Sequence, residues 1–533
     1  MAFVPTKIPY TQTGFYSKIV IDYLNNEANL HSFFLHPANK AGLEQAIVSR
    51  QHFNTNRKEL AKALEHQYTG ISTNDAVYTN MNLLQKETTF TITTAHQPNI
   101  FTGPLYFLYK ILHAVKLAAY SKQQFPQYDF VPVFYMGSED ADLDELGHVY
   151  INGRKKIWNT AQTGAVGRMK VDKELLKLIE EIANEVGVLP EGQAIIALLK
   201  KNYAEGETIQ QATFKLVNEL FGKYGVLVVI PDNAALKKLA HPVFMEELLH
   251  SPSSKITTTT GERLRAAGYT AQAHSREINF FYLIDDKRER IEKDAHLWRV
   301  VNTEIVFTEI QLLEELSSHP ERFSPNVILR GIFQEIILPN IAFIGGGGEL
   351  AYWLQLKDLF AHYKVPYPVL VLRNSYLIVD ERSVQLKNKL GFSYADFFQP
   401  VQKLQSQWVQ KNSNKNLSVD EAIENVNALY KSLGQQAAAI DGTLIKHVEA
   451  LKVQAAKRIE VLGKKMLRAE KRTHQASMHQ IEKLKQQLFP GEQLQERVEN
   501  FITYYAKYGA AFIDELYTNA LALEQEFVVL EEK

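Results

Sequence analysis

The chain contains no cysteine in its 533 residues. This absence excludes disulfide bridges, thiolate metal sites and a covalent cysteine nucleophile. Long apolar runs are missing as well, because no uncharged stretch approaches the ~20 residues that span a bilayer. The first residues lack the basic and apolar regions of a secretory signal. We therefore predict a cytoplasmic protein without a membrane partner.

Charge of one sign is not in excess either. The formal net charge is −1, which provides no global attraction to nucleic acid, so we predict no nucleic-acid partner. The apolar fraction of 45% and the charged fraction of 22% are typical of a soluble globular protein. At about 150 residues per domain, the length predicts roughly three domains.

Strand-like and helix-like segments alternate through the middle of the chain. This alternation predicts an α/β fold with a doubly wound, largely parallel sheet and helical inserts. The strand candidates are TFTITTA, YDFVPVFYMGSED, GVLVVIPD, NFFYLIDD, RERIEK, NVILRGIFQEIILPNIAFIGGGG and YPVLVLRNSYLIV. We assign four regions, which are an N-terminal helical part of the core (1–88), the core itself (89–380, with inserts at about 152–207 and 233–275), a helical coiled-coil domain (381–490) and closing helices that pack on the core (491–533).

The coiled-coil prediction depends on an apolar seam that runs through one long helical segment. Its positions advance mostly in steps of three and four, and all but one are apolar. They are Leu444, Val448, Leu451, Ala455, Ile459, Leu462, Met466, Ala469, Thr473, Ala476, Ile481, Leu484 and Leu488. So narrow a stripe does not suit a helix packed on a core, so we predict a homodimer through the coiled coil. Pairing within the chain, with the helix at 418–439, is the alternative.

A polar loop follows the first core strand, in the sequence HQPNIFTGP. His96 and Gln97 end the strand, where the ligand crevice of an open α/β sheet lies. Gly103 permits close approach of a ligand, and Pro104 suits a first helical turn. Thr102 would cap the helix or donate to a phosphate held at the helix start. The alternative is that Thr102 only caps the helix and His96 only packs.

Acidic residues follow the second core strand, in the sequence GSEDADLDE. They are Glu139, Asp140, Asp142 and Asp144, with Ser138 in front of them. Carboxylates at such a place could bind an ammonium group, coordinate Mg²⁺ or act as a general base. A solvated acidic loop is the alternative interpretation. The preceding buried strand favours a functional role, because it would deliver the cluster to the same crevice.

Two further strand ends carry polar groups. A glycine run precedes a helix that contains Glu349 and Tyr352, and its backbone N–H groups could cradle a phosphate or a sugar. The run does not match dinucleotide or Walker spacing, and a flexible helix-start loop is the alternative. The fourth strand end offers Arg373, Asn374 and Ser375, a set suited to a carboxylate or a phosphate. A structural ion pair of the arginine is the alternative there.

The ordered set HQPNIFTGPLYFLYK, VPVFYMGSEDADLDE, GGGGELAYW and VLVLRNS, followed by a coiled coil, resembles the bacillithiol biosynthesis cysteine-adding enzyme family (BshC). The likeness covers essentially the whole chain. It implies a Rossmann-like core and a coiled-coil domain that mediates dimerisation. It also implies a ligase whose substrates are cysteine and glucosaminyl malate, and whose product is bacillithiol.

The resemblance also implies an activated cysteine carboxylate, with ATP or ADP and Mg²⁺ as cofactor. The strand–loop–helix layout is similar to that of class I aminoacyl-tRNA synthetases, but HQPNIFTGP replaces their His-Ile-Gly-His signature and no Lys-Met-Ser-Lys loop appears. The candidate catalytic residues are Glu139, Asp140 and His96. The candidate nucleotide or phosphate ligands are Gln97, Thr102, Gly103, Pro104, Ser138, Gly346, Gly347 and Gly348. The candidate substrate ligands are Asp142, Glu349, Tyr352, Arg373, Asn374 and Ser375. No protein ligand to a metal is predicted.

A second function belongs to a different class. The chain could be a non-catalytic coiled-coil dimer whose core binds a nucleotide or metabolite as a scaffold or sensor. Several polar strand ends that converge on one crevice favour the enzyme.

Overall fold

The computed structural model describes residues 3–533. It divides into two units, of which the first contains the chain up to Leu377 together with Leu494–Glu531, and the second contains Ile378–Gln493. The strands are β1 (Phe3–Pro9), β2 (Thr89–His96), β3 (Asp129–Met136), β4 (His148–Ile151), β5 (Arg154–Ile157), β6 (Leu227–Val229), β7 (Phe280–Ile284), β8 (Lys287–Asp294), β9 (Leu297–Val300), β10 (Val306–Thr308), β11 (Phe323–Pro325), β12 (Asn340–Gly345), β13 (Val369–Leu372), β14 (Tyr376–Val379) and β15 (Glu526–Glu532).

Helices connect these strands in the first unit and build the second unit. They are α1 (Lys18–Leu24), α2 (Lys40–Gln51), α3 (Arg57–Tyr68), α4 (Asp75–Leu83), α5 (Tyr106–Gln124), α6 (Leu143–Leu146), α7 (Lys173–Val186), α8 (Gly192–Asn202), α9 (Ile209–Phe221), α10 (Ala234–Leu239), α11 (His241–His250), α12 (Pro252–Ala266), α13 (Glu309–Ser318), α14 (Val327–Ile337), α15 (Gly347–Trp353), α16 (Lys357–His362), α17 (Glu381–Leu390), α18 (Val401–Asn412), α19 (Asp420–Ile440), α20 (Leu444–Thr473), α21 (Gln475–Leu488), α22 (Phe501–Tyr508) and α23 (Ala511–Thr518). Within residues 3–533, no helix is long and apolar enough to cross a membrane.

A five-stranded parallel sheet forms the centre of the first unit, in the order β13-β12-β2-β3-β6. Every residue of β2 is buried, as expected of a parallel strand covered on both faces. The predicted α/β, Rossmann-like parallel core is therefore confirmed. From β2 the chain builds outward to β3 and β6, and then crosses to β12 on the other side of β2. The crevice at the carboxyl ends of β2 and β12 is thus the topological switch point, where ligands bind in such sheets.

One strand interpretation is wrong in its first half. The segment NVILRGIFQEII is helix α14, which begins where the Asn326 side chain accepts a hydrogen bond from the Ile328 N–H. Its many β-branched residues suggested a strand, but its buried residues lie along a helix packed in the core. NFFYLIDD and RERIEK are strands, yet they belong to a separate antiparallel sheet of order β10-β9-β8-β7-β11. The short turn at Asp285 and Asp286 permits only an antiparallel hairpin, because parallel strands need a long crossover.

The chain ends of the first unit are less purely helical than predicted. The N-terminal region contains α1–α4, as the amphipathic spacing indicates, but it begins with β1. The closing segment forms α22 and α23, separated at Gly509, whose φ is +65°. Its last residues form β15, which lies between β1 and β14 in a third sheet. The prediction of helix through residues 526 and 527 is therefore wrong.

The second unit contains the long helices α19, α20 and α21, and the predicted coiled-coil class is confirmed. The predicted continuous seam is interrupted, however, because the backbone at His474 leaves the helical region (φ −111°, ψ 34°) and separates α20 from α21. Helices α19 and α20 pack against each other, with Gly434 beside Val448 and Gly463 beside Val419. The intrachain pairing named above as an alternative is therefore present.

A buried ion pair attaches α2 to the start of the central sheet. The Arg50 Nη2 lies 2.6 Å from Glu335 Oε2, and both side chains are almost fully buried. Arg50 also donates to the carbonyl oxygens of Asn340 (2.9 Å) and Glu335 (2.7 Å). The Asn340 amide donates to the other carboxylate oxygen of Glu335 at 2.7 Å. All three guanidinium nitrogens of Arg50 therefore form hydrogen bonds that connect α2 to α14 and β12.

Replacing Arg50 by methionine should destabilise the first unit, because it leaves Glu335 charged and unpaired in the interior. We expect the free energy of unfolding to fall by about 3–5 kcal/mol, measured by urea denaturation. The double variant R50M/E335Q should recover part of this loss, and R154M, at an exposed arginine of β5, should change little. Equal stability of R50M and R154M would contradict the role of the pair.

Candidate active site

Two adjoining chambers open at the carboxyl ends of β2, β3 and β12. The acidic chamber has a volume of about 110 Å³, and its walls include Tyr135, Glu139, Asp140, Pro231 and Arg288. The glycine-loop chamber has a volume of about 270 Å³, and its walls include Lys110, Glu145, Gly346, Gly347, Gly348, Glu349, Tyr352, Arg373 and Arg497. Gln97, Val327 and Arg330 line both chambers. The sequence motifs at the ends of β2, β3 and β12 therefore meet in one cleft.

Glu139 is the buried carboxylate of the acidic chamber. It forms an ion pair with the fully buried Lys237 of α10, and Lys237 lies 3.6 Å from Asp232. Asp232 in turn accepts two hydrogen bonds of 2.7 Å from Arg168. Burial raises the pKa of Glu139, although the ammonium group of Lys237 opposes this rise. The glutamate thus lies in a short network of alternating charges.

Asp140 differs from its neighbour in having no ion-pair partner among the described residues. Its Oδ2 accepts a hydrogen bond from Gln97 Nε2 at 3.1 Å, and its Oδ1 accepts one from the Asp142 N–H at 3.3 Å. Across the described residues it forms no ion pair. Its half-buried carboxylate therefore lies in the chamber wall without a direct ion pair.

Glu349 is fixed by contacts within the glycine-loop chamber. It forms an ion pair with Lys110 of α5 and accepts a 2.8 Å hydrogen bond from the Gly346 N–H, which closes the start of α15. Lys110 also donates to the Ala95 carbonyl oxygen at 2.9 Å. Burial opposes the charge of Glu349, but Lys110 and the Gly346 N–H hold the pKa of the carboxyl below its usual value. This pair connects β2, α5 and the glycine run.

The glycine run leaves room at one position. A Cβ atom built on Gly348 would meet no atom within 4 Å, whereas one on Gly347 would touch Val20 at 3.4 Å. Tyr352, one helical turn further along α15, accepts a 2.8 Å hydrogen bond from Arg330 Nη2. Gly348 is thus a wall residue of the chamber with open space in front of it.

Arg373 lines the glycine-loop chamber but already has an anionic partner. Its Nη2 lies 2.7 Å from Glu496 Oε1, and its guanidinium group lies 4.9 Å from the centre of the Tyr106 ring. The structural ion pair named above as an alternative is therefore present. A Cβ atom on Gly346 would lie 3.7 Å from Arg373 Nε, so the guanidinium edge still borders the chamber.

Asn374 and Ser375 do not line either chamber. The Asn374 amide exchanges hydrogen bonds of 3.0 and 2.9 Å with the backbone of Leu521. The Ser375 hydroxyl contacts the Tyr16 hydroxyl at 2.7 Å and Glu496 at 3.2 Å. Both residues therefore support the wall behind Arg373.

Beyond Gln97, the loop after β2 (residues 98–103) is buried and lies outside both chambers. The prediction that Thr102 caps the following helix is wrong, because α5 begins at Tyr106 without a side-chain cap. Thr102 has a φ of +67°, and its hydroxyl has no hydrogen-bond partner in the described part of the chain. Pro104 precedes the helix instead of occupying its first turn. The Asn500 amide holds the loop by donating to the carbonyl oxygens of Phe101 (2.9 Å) and Gly103 (2.6 Å).

Two residues of the acidic motif have local positions apart from the cleft. Asp142 is exposed and caps the short α6 by accepting a 3.0 Å hydrogen bond from the Glu145 N–H. Ser138 is buried, and its hydroxyl has no hydrogen-bond partner among residues 3–533. Of this motif, therefore, Glu139 and Asp140 line the acidic chamber and Glu145 lines the glycine-loop chamber.

His96 lies at the base of the glycine-loop chamber. Its Nδ1 is 3.1 Å from the Gln97 carbonyl oxygen, and its Nε2 is 3.3 Å from the Tyr106 hydroxyl. Burial, together with the charge of Lys110, lowers the pKa of His96 to about 3. The imidazole is therefore neutral at physiological pH, so it can accept or donate a hydrogen bond but does not carry a proton to release as an acid.

Sequence reasoning found Arg373 but missed the other basic residues of the cleft. Lys110 had a visible signal, because it is a lone charge in the apolar helix sequence YFLYKILHAV. Arg330 was hidden because its helix was interpreted as a strand. Lys237 and Arg288 come from the segment between β6 and β12, and nothing in their local sequence indicates that they return to the cleft. No cluster of three or more potential metal ligands occurs within residues 3–533.

These features define a Rossmann-like α/β enzyme, with a charged cleft at the switch point of its sheet and a coiled-coil unit in the same chain. The family model for the BshC N-terminal Rossmann-like domain of bacillithiol biosynthesis matches residues 4–374, and that for the BshC C-terminal coiled-coil domain matches residues 376–532. The chain belongs to the BshC family of bacillithiol biosynthesis, as its motifs indicate.

Curated relatives match over nearly the full length. Proteins named "Putative cysteine ligase BshC" from Flavobacterium psychrophilum and Flavobacterium johnsoniae are each 36% identical to this chain. The alignments cover 98% of this chain in both cases, and 98% and 99% of the relatives. A protein of the same name from Cytophaga hutchinsonii is 36% identical, with 97% of both chains covered.

The neutral state of His96 predicts a pH dependence of stability. The folded protein keeps the imidazole unprotonated down to a pKa of about 3, whereas the unfolded chain protonates it near pH 6.5. The contribution of His96 to the free energy of unfolding is therefore complete above pH 6.5. As the pH falls below this value, the contribution is lost by about 1.4 kcal/mol per pH unit. We expect H96Q to reduce the slope of unfolding free energy between pH 6.5 and 4, measured by urea denaturation.

Burial also lowers the pKa of His113, to about 4, so part of the slope should remain in H96Q. The variant H66Q, at an exposed histidine of α3, serves as the control and should keep the parent slope. Parallel slopes for H96Q and the parent would show that His96 titrates normally.

Proposed function

We propose that the protein is a cysteine ligase, which forms the amide bond between L-cysteine and the sugar amine of glucosaminyl malate to give bacillithiol. The observation that carries this proposal is the full-length match to relatives with that printed name, which includes the cleft motifs. A biosynthetic ligase that consumes cysteine and a nucleotide would work in the cytoplasm. The non-catalytic scaffold is disfavoured, because buried carboxylates and uncompensated arginines converge on one small cleft.

The reaction sets clear requirements for the cleft. The amine nitrogen must attack the carboxyl carbon of cysteine, one oxygen must leave with an activating group, and the amine must lose a proton. Glu139 and Asp140 are the carboxylates nearest to this chemistry, since both line the acidic chamber. Burial raises the pKa of Glu139, and a raised carboxylate pKa suits a general base.

The glycine-loop chamber fits an anionic group. The space in front of Gly348 and the cationic side chains of Arg330 and Arg497 suit a phosphate of ATP or ADP with Mg²⁺. The nucleotide would supply the leaving group for the cysteine carboxylate. Gln97, at the junction of the chambers, would orient the groups on either side. Arg373, supported by Asn374 and Ser375, would contact a malate carboxylate, with Tyr352 beside it.

Turnover tests the ligase directly. Purified protein is incubated with cysteine and glucosaminyl malate, with and without ATP and Mg²⁺, and the amide product is followed by mass spectrometry together with AMP and ADP. We expect amide only with nucleotide, and the nucleotide product identifies the activating group. E139Q should lower the turnover number by roughly 10²–10⁴-fold, as expected for loss of a general base.

Two further variants separate chemistry from folding. E139Q leaves Lys237 without its partner, so the double variant E139Q/K237M removes both charges and should fold while remaining inactive. D129N, at the opposite end of β3, where Asp129 contacts Lys122 at 2.9 Å, should retain parent activity. Full activity of E139Q would remove Glu139 from the chemistry, and no amide under any condition would reject the ligase.

We also propose a homodimer, which the coiled-coil unit supports. Helices α19 and α20 already pair within the chain, yet they leave large apolar side chains exposed. Leu429 is 56% exposed, Leu462 is 54% exposed and Leu444 is 40% exposed. A second copy that covered these side chains would remove the exposed apolar surface from water.

Charged side chains at these leucine positions should therefore dissociate the dimer. We expect the double variant L429E/L462E to sediment as a monomer at concentrations where the parent is a dimer, because a buried glutamate without a partner is strongly unfavourable. V188E, at a 90% exposed valine of the first unit, should leave sedimentation unchanged. A parent that sediments as a monomer would exclude the homodimer.

A further inference from the structure

The acidic chamber contains opposite charges that are kept apart. Asp140 has no ion-pair partner within residues 3–533. Arg288, from β8 of the antiparallel sheet, faces the same chamber, and it likewise forms no ion pair in the described chain. A small space bordered by a free anion and a free cation is complementary to a molecule that carries both charges.

The guanidinium groups are positioned by contacts that leave donors free. Arg288 Nε donates to the Ser324 hydroxyl at 3.2 Å, and its guanidinium carbon lies 3.8 Å from the centre of the Phe281 ring. Its two terminal nitrogens have no hydrogen-bond partner in the described structure. Arg330 uses Nη2 for Tyr352, while a Cβ atom on Gly137 would lie 3.4 Å from its Nη1. Planar guanidinium groups held in this way suit a carboxylate.

We propose that the acidic chamber is the binding site for the L-α-amino acid as a zwitterion, with Asp140 holding the ammonium group and Arg288 and Arg330 holding the carboxylate. The inference deepens the proposed ligase function and depends on it for the identity of the amino acid. Glu139 is excluded as the main ammonium ligand, because Lys237 already occupies it. Arg288 is then a specificity residue that lies outside the four sequence motifs.

The chamber's size and its connection to the other chamber agree with this assignment. A volume of about 110 Å³ admits a small amino acid and excludes a nucleotide. Arg330 lines both chambers, so a carboxylate bound to it lies at their junction. The carboxyl carbon would therefore be presented to the chamber in which the sugar amine arrives, while the ammonium end stays in the acidic chamber.

Three thiols that differ in one charged group test the site by isothermal titration calorimetry. L-Cysteine carries both groups, cysteamine lacks the carboxylate, and 3-mercaptopropionate lacks the ammonium group. We expect R288Q to weaken cysteine and 3-mercaptopropionate by roughly 10- to 100-fold, the effect of losing a charged hydrogen bond, and to leave cysteamine unchanged. D140N should weaken cysteine and cysteamine and leave 3-mercaptopropionate unchanged.

This crossed pattern cannot arise from misfolding, which would weaken all three ligands. R290Q is the matched control, because Arg290 lies two residues further along β8, does not line the chamber and contacts Glu292 instead. Equal loss of all three thiols in R288Q, or unchanged cysteine affinity, would overturn the site. Amide formation with an unchanged KM for cysteine in R288Q would overturn the site but keep the ligase. The crossed binding pattern without any amide product would keep the site and reject the ligase.

Discussion

The need to pair every deeply buried charge organises the cleft. An unpaired ion in a protein interior is far more costly than a pair, and three strand ends meet this need with a partner from a distant part of the chain. The ion pair of Lys110 and Glu349 connects the end of β2 to the glycine run. The pair of Glu139 and Lys237 connects β3 to α10. The pair of Arg373 and Glu496 connects β13 to the closing segment. These contacts set the shape of the chambers. Asp140 and Arg288, which have no ion-pair partner in the described chain, lie in the chamber wall.

Much of the fold could be predicted from the sequence, because its signals are local. Buried parallel strands appear as apolar β-branched runs, and the polar residues that follow them mark the crevice edge. His96, Gln97, Glu139, Asp140, Gly346–Gly348, Glu349, Tyr352 and Arg373 all lie at one cleft for this reason. The helix α14 was mistaken for a strand because a β-branched core helix and a buried strand have similar compositions.

Other features could not be predicted, because they depend on partners remote in sequence. Nothing near Asn374 indicates that its amide would bind the backbone at Leu521, and nothing near Gly103 points to Asn500. The loop HQPNIFTGP was interpreted as a helix start because Thr-Gly-Pro is typical of one. Its carbonyl oxygens at Phe101 and Gly103 instead accept hydrogen bonds from Asn500 of the closing segment. The cations Lys237 and Arg288 were missed for the same reason, since only tertiary structure brings them to the carboxylates.

The walls of the acidic chamber come from two sheets, the central parallel sheet and the inserted antiparallel sheet. Its carboxylates come from β3 of the central parallel sheet, whereas Arg288 comes from β8 of the antiparallel sheet, which is inserted between β6 and β12. The cation of the chamber is therefore supplied by a segment separate from the central strands and their carboxylates. On the proposed assignment, selectivity for the amino-acid carboxylate is thus encoded in a different segment from the core scaffold, so a change in the antiparallel sheet would alter it while the central strands are retained.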